Sequence, residues 1–393
     1  MTRNNDGRGR RSRSVGGCRM GFTIIELLVV VTIIALLIAL LVPAIGKARD
    51  SAMVTQSQGN LKNLQAACGS YGAAWNDRQW TIAADDIGLY GNGCYADYVG
   101  TNGPGGCPAS PILGYGCVVP GNTNCGLYAY WLPCGSTTGT PGNWLVLHPF
   151  FFGGPCAAAA SAGFGSWRMA NVKNFNDYVG GRFYDRAFYA PKDKVTLSRA
   201  EPAFERGDEF SVLSELEDGI VYSSYVFSPA AMWNPDVLSG RKGFTAPGPT
   251  LPAAWRSPSV GQAAFPDLKT RMLEHNWLQN QQGGEFNGNF SSQEPWYFNQ
   301  GYNSSPVTLF FDGHIAVTGA SQAMDADAQV LAANQDGGST AVEKGLWVRQ
   351  IPVGPWNSYQ GYYTNYSYDT QIKTSYHVFT TDGILGRDFV TSP

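Results

Sequence analysis

Residues 27–46 of this 393-residue chain carry no charge. As a helix they make about 30 Å, the thickness of the hydrocarbon core of a bilayer. Ahead of them, residues 1–21 hold Arg3, Arg8, Arg10, Arg11, Arg13 and Arg19 against Asp6, a net +5. A basic block directly before an apolar run reads as the cytoplasmic flank of a membrane crossing. The formal total is −3, so the remaining residues carry −8. A mildly acidic remainder offers no basic face for nucleic acid.

The boundary between the two blocks is Gly21. An ordinary secretory signal places its cleavage site after the apolar stretch, and no small-x-small site with a mature-looking start follows here. Glu26 is an acid near the start of the apolar run. A carboxylate at such depth costs about 2.5–3.5 kcal/mol on insertion scales, so it needs a partner. Pro43 lacks an amide donor and is expected to kink or loosen the helix near the membrane exit.

Residues 21–45, GFTIIELLVVVTIIALLIALLVPAI, resemble the amino-terminal signal of type IV pilins and type II secretion pseudopilins. The resemblance implies that a prepilin peptidase cuts after Gly21 and that Phe22 becomes the N-methylated terminus. It places Glu26 at the acid, fifth in the mature chain, that sets the register between subunits by meeting a neighbour's terminal amine. Pro43 falls where many members of the family have a proline. The implied partners are the peptidase, other pilin or pseudopilin subunits and inner-membrane lipid, and no nucleic acid. The implied location is a single-pass inner-membrane protein with an exported domain, periplasmic or on a cell-surface filament after assembly.

Beyond the apolar run, Leu61, Leu64, Cys68, Tyr71 and Trp75 recur at intervals of three and four, which predicts one helical face. The helix of 22–45 is therefore expected to continue through 46–76 as one spine. Ala48-Arg49, Asn60-Leu61-Lys62-Asn63-Leu64 and Tyr71 resemble a subfamily of large prepilin-like proteins. Cys107-Pro108, Gly114-Tyr115-Gly116 and Phe311-Asp312-Gly313-His314 add further likeness. One branch of that subfamily has a histidine ten positions before the aspartate, where this chain has Tyr302.

Eight cysteines are present, and Cys94, Cys107, Cys117, Cys125, Cys134 and Cys156 cluster within 63 positions without any CxxC pair. In an exported, loop-rich segment they fit up to three disulfides, and spacing does not choose among the pairings. Free buried thiols are the plain alternative. Charged residues are only 15% of the chain, below the usual quarter, while Gly, Tyr, Phe and Trp are plentiful. That mix suits a strand- and loop-rich exported domain whose aromatics build a core.

The expected organisation is a removed leader (1–21), a transmembrane helix (22–45), an amphipathic continuation (46–76), a Gly/Cys/aromatic-rich loop region (77–175) and a β-rich ectodomain (176–393). The fold class is α+β, with the spine packed on an antiparallel sheet. Strands are expected at 144–151, 220–227, 345–351 and 376–381. The clearest hairpin is 306–318, with Asp312-Gly313 as a two-residue turn. No HExxH, GxSxG or phosphate loop occurs, so neither catalysis nor a cofactor is expected. Asp325 and Asp327 form a lone DxD, short of a calcium ligand set. His314, beside the turn, reads as structural. Two functions remain: a filament subunit, minor pilin or pseudopilin, or an anchored module that binds glycans or another surface through exposed aromatics. Sugar-stacking aromatics would form a coplanar exposed row.

Overall fold

The structure, a computed structural model, describes residues 23–81, 170–206, 221, 223–240, 245, 251–274, 305–335, 345–347, 377 and 380–391, and the strands at 112–117, 125–130 and 143–144. The chain divides into two compact units, Met1–Ala52 and Met53–Pro393. Helix α1 spans Ile24–Ala74. Within the first unit it is uncharged from Leu27 to Gly46, and no large apolar side chain there is buried.

In the second unit α1 becomes one-sided. Ser57, Leu61, Leu64, Ala67, Cys68, Tyr71 and Gly72 are its buried residues, the stripe expected of a helix lying on a core. Trp75 departs from the expected face: it lies just past the helix, is 53% exposed and stacks on Tyr71 at 5.8 Å. The helix stops because Asn76 and Asp77 turn to positive φ, 56° and 60°. The Asp77 amide then donates back to the Gly72 carbonyl at 2.7 Å, closing an orphan acceptor of the last turn.

The sheet facing this helix is antiparallel, in the order β4 (Tyr225–Phe227), β5 (Thr270–Glu274), β6 (Val307–Phe310) and β7 (Ile315–Val317). Strands β5 and β6 are buried at every position, as central strands covered on both faces are. The helix meets the sheet partly through polar groups. The Ser57 hydroxyl donates to Glu274 Oε1 at 2.5 Å and lies 2.8 Å from the Tyr225 hydroxyl. Asn60 Nδ2 donates to the same tyrosine oxygen at 3.3 Å. Aromatic packing continues the core: Trp80 stacks on Phe227 at 4.8 Å, and Phe175 meets Phe227 edge-on at 5.3 Å. The α+β arrangement of a helix against an antiparallel sheet is therefore present.

Of the expected strand at 220–227, the described residues keep Tyr225–Phe227. Before it, the Ser224 side chain donates to Asp193 Oδ2 at 2.7 Å and its amide to the Phe188 carbonyl at 2.9 Å, bonds that compete with a sheet ladder. Of the expected strands at 345–351 and 376–381, the described residues keep one bridge, Trp347 to Thr380. A second, smaller sheet comprises β1 (Ile112–Cys117), β2 (Cys125–Tyr130) and β3 (Asn143–Trp144), the last being the described part of the strand expected at 144–151. Among the described residues the further α-helices are α2 (Lys173–Asn176), α3 (Lys194–Phe204) and α4 (Ala320–Gln335).

The hairpin at 306–318 is present, but its turn differs from expectation. The Phe310 amide donates to the His314 carbonyl at 3.0 Å and the Gly313 amide to the Phe310 carbonyl at 3.0 Å. The loop is thus three residues, Phe311, Asp312 and Gly313, with only Gly313 at positive φ, 91°. This is the three-residue turn with a glycine in the left-handed position, where Asp312 needs no unusual φ. A Cβ at position 313 would also strike the Gln65 side chain of α1. We expect Gly313→Val to cost roughly 1–2 kcal/mol or more, because a β-branched residue resists positive φ. Chemical denaturation of the wild-type and variant protein measures it.

The C-terminal segment is tied to β5 by a buried ion pair. Lys269 Nζ lies 2.8 Å from Asp388 Oδ2, both side chains fully buried. The same carboxylate accepts from the Thr270 amide at 2.9 Å, the Thr380 hydroxyl at 2.6 Å and the His377 amide at 3.0 Å. Burial works against the charged carboxylate, but Lys269 and these donors hold Asp388 below its usual range. Burial, reinforced by Lys269 and opposed by Asp388, lowers His377 to about 3.

Both shifts have one sign. The unfolded chain binds protons that the folded chain refuses, so stability is present at neutral pH and lost on acidification. The histidine contribution starts near pH 6.5 and the carboxylate contribution follows near pH 4. We expect the thermal midpoint to fall as pH drops from 7 to 4. His377→Asn, which tolerates the 58° φ of this position, should flatten that slope between pH 6.5 and 4.5. Calorimetry across the pH series reads the slope independently of any uniform loss of stability.

Candidate functional site: the amino-terminal apolar helix

Helix α1 begins at Ile24 behind Thr23, and the first turn carries its own cap. The Thr23 backbone amide donates to Glu26 Oε2 at 2.8 Å, and the Thr23 hydroxyl donates to the same oxygen at 2.8 Å. In return the Glu26 amide donates to the Thr23 hydroxyl at 3.3 Å. This is a reciprocal capping box, Thr-x-x-Glu. It satisfies amides that a helix start leaves without partners and places a negative charge at the positive end of the helix dipole.

The signal for the cap, Thr23 three residues before Glu26, lies in the sequence, but reading Glu26 only as a membrane acid passes over it. Farther along, the Thr32 hydroxyl donates to the Leu28 and Val29 carbonyls at 3.0 and 2.8 Å, so no polar group of this side chain needs water. The helix runs unbroken through Pro43.

From Ile24 to Ile45 the large apolar side chains are 44–86% exposed. A surface of that size, apolar on every side, requires a non-aqueous neighbour. Among the described residues this is the one helix long and apolar enough to cross a membrane.

The other expected site residues fall as follows. Gly21 and Phe22 lie outside the described residues, as do Cys94, Cys107, Cys134, Cys156 and Tyr302. Cys117 and Cys125 lie in β1 and β2. Cys68 is a free, buried thiol on the docked face of α1, where burial raises its pKa. Asp325 and Asp327 sit on α4 with opposite exposures; Asp325 is exposed, while Asp327 is buried and accepts the Leu346 amide at 2.7 Å. Their helix thus separates the two carboxylates. Among the described residues no three histidine, cysteine or acidic side chains gather as metal ligands. His314 stacks on Phe310 at 4.2 Å and shares a 2.7 Å contact between Nδ1 and Asp312 Oδ1, which rigidifies the hairpin end.

Comparison of the chain with protein-family models, curated proteins and solved structures finds no match.

The cap yields a direct expectation. Thr23→Val should remove both bonds of the Thr23 hydroxyl and leave the Thr23 amide on Glu26, costing about 1 kcal/mol of local helix stability. Amide hydrogen exchange of Ile24 to Glu26 in detergent micelles should then speed up several-fold, with the amides beyond Thr32 unchanged.

Proposed function

We propose that this chain is a prepilin-type filament subunit, a minor pilin or pseudopilin of a type IV pilus-like or type II secretion filament. The observation that carries the reading is the apolar helix Ile24–Ile45, exposed on all sides and started by a cap built from its acid, directly behind a basic leader ending in Gly21. Such a surface suits lipid first and then a bundle of identical helices, since both offer apolar neighbours along its whole length. The second unit, a helix face docked on an antiparallel sheet, is the kind of exported domain the same reading requires.

In this reading the leader is removed after Gly21 by prepilin peptidase and Phe22 is methylated. The chain then stands in the inner membrane with its C-terminal part exported, until it joins a periplasmic or surface filament. Glu26 serves twice. In the lone subunit its carboxylate is held by Thr23 at 2.8 Å. In the filament the terminal amine of a neighbour takes up the same carboxylate and fixes the axial register. The part is structural rather than enzymatic, and the exported domain sets what the filament touches.

The glycan-binding alternative gains no specific support. Of the tryptophans whose side chains the structure describes, Trp80, Trp233 and Trp347 are buried core and Trp75 is exposed, so these four form no coplanar exposed row.

Mass spectrometry of the mature amino terminus, in cells that possess the peptidase, tests the reading directly. We expect a methylated Phe22 terminus, and full-length chain retained in the membrane for Gly21→Val. An intact leader on the wild-type chain would overturn the proposal. Glu26→Val should insert and fold normally yet enter filaments poorly; normal incorporation would remove the register role.

A further inference from the structure

Strands β1 and β2 pair antiparallel, and their ladder is regular from Gly114 opposite Tyr128, through Tyr115 opposite Leu127 and Gly116 opposite Gly126, to Cys117 opposite Cys125. The irregularity of this ladder lies at its other end, between Ile112 and Gly114. Among the described residues these two are the cysteines of the three-stranded sheet, and they occupy facing positions at the end where the hairpin closes.

We propose that Cys117 and Cys125 form a disulfide that closes the β1–β2 hairpin. Directly opposed positions of an antiparallel ladder lie on one face of the sheet, with Cα atoms about 4.5–5.5 Å apart. A disulfide spans Cα separations of about 4.4–6.8 Å, so the register meets the requirement without moving the backbone. The strands also need such a tie. Gly114, Gly116 and Gly126 leave them little side-chain pattern to fix the register, and glycine-rich strands slip readily. A covalent link at the facing pair excludes every register but one.

The bond forms by exchange with a protein or small-molecule disulfide. One cysteine thiolate attacks the donor disulfide, giving a mixed disulfide and a donor thiol. The second cysteine thiolate displaces the remaining donor sulfur. The two cysteine thiol protons end on the two donor sulfurs, two electrons reduce the donor disulfide to two thiols, and one S–S bond replaces another. The pairing itself follows from the ladder; only the cellular source of oxidant rests on the export proposed above.

The test uses the purified full chain in detergent, equilibrated in a glutathione redox buffer, so that its result is independent of export. Free thiols are alkylated under denaturing conditions, the bridges are then reduced, and the released thiols take a second, mass-distinct reagent before peptide mass spectrometry. In the wild type Cys117 and Cys125 should carry the second label. Cys117→Ser should move Cys125 to the first label, and Cys125→Ser should do the same to Cys117. The double variant should leave every other cysteine with its wild-type label. First label on both residues in the wild type would overturn the proposal. So would either single variant freeing a cysteine other than the facing one, or the double variant changing the label of any third cysteine.

Discussion

A carboxylate drawn into a sheet interior must be given donors or it reverts to its neutral form, and Glu274 receives them from two elements at once. Ser57 of α1 donates to one oxygen at 2.5 Å, and the Val307 amide at the start of β6 donates to the other at 2.9 Å. Strand β5 is thereby fastened to the helix on one face and to its neighbour strand at its end. Just ahead of the same strand, Lys269 and Asp388 fasten the C-terminal segment. Removing either member of such a buried pair leaves an uncompensated charge, which is why these contacts specify an arrangement more than they add net stability. The apolar packing of Leu61, Leu64, Phe227 and Trp80 fills the space between ties whose positions the polar groups dictate.

Much of α1 was legible in the sequence. An uncharged run of bilayer length and a three-four periodicity after it are strong, local signals, and the helix covers both. The stripe of Leu61, Leu64, Cys68 and Tyr71 is buried as its spacing implied. Trp75 broke the pattern because Asn76 and Asp77 end the helix by backbone conformation, which apolar spacing does not register. The hairpin was legible from its β-branched and aromatic flanks, but the exact loop was not. Asp-Gly serves both two-residue and three-residue turns, and the choice is made by which carbonyl the Gly313 amide reaches.

The ties of β5 were not legible at all. Ser57 and Glu274 lie 217 positions apart, Lys269 and Asp388 119. Nothing in local composition announces that a lysine or a glutamate will be buried, since most are solvated. The shortened β4 has the same origin: Ser224 is satisfied by Asp193 and Phe188, distant residues that outcompete the ladder.

The reciprocal bonds between Thr23 and Glu26 also bear on the entropy of whatever this helix end meets. Ordering a backbone residue costs about 1–2 kcal/mol, and a frayed first turn would add that cost to every encounter. Here the turn is set by groups within the chain itself. Any cation brought to this end would meet a carboxylate already fixed in direction, in place of a hydroxyl and an amide that are themselves neutral. The encounter becomes a swap of one donor set for a charged one on a rigid frame. A loose end would have had to fold and bind in the same step.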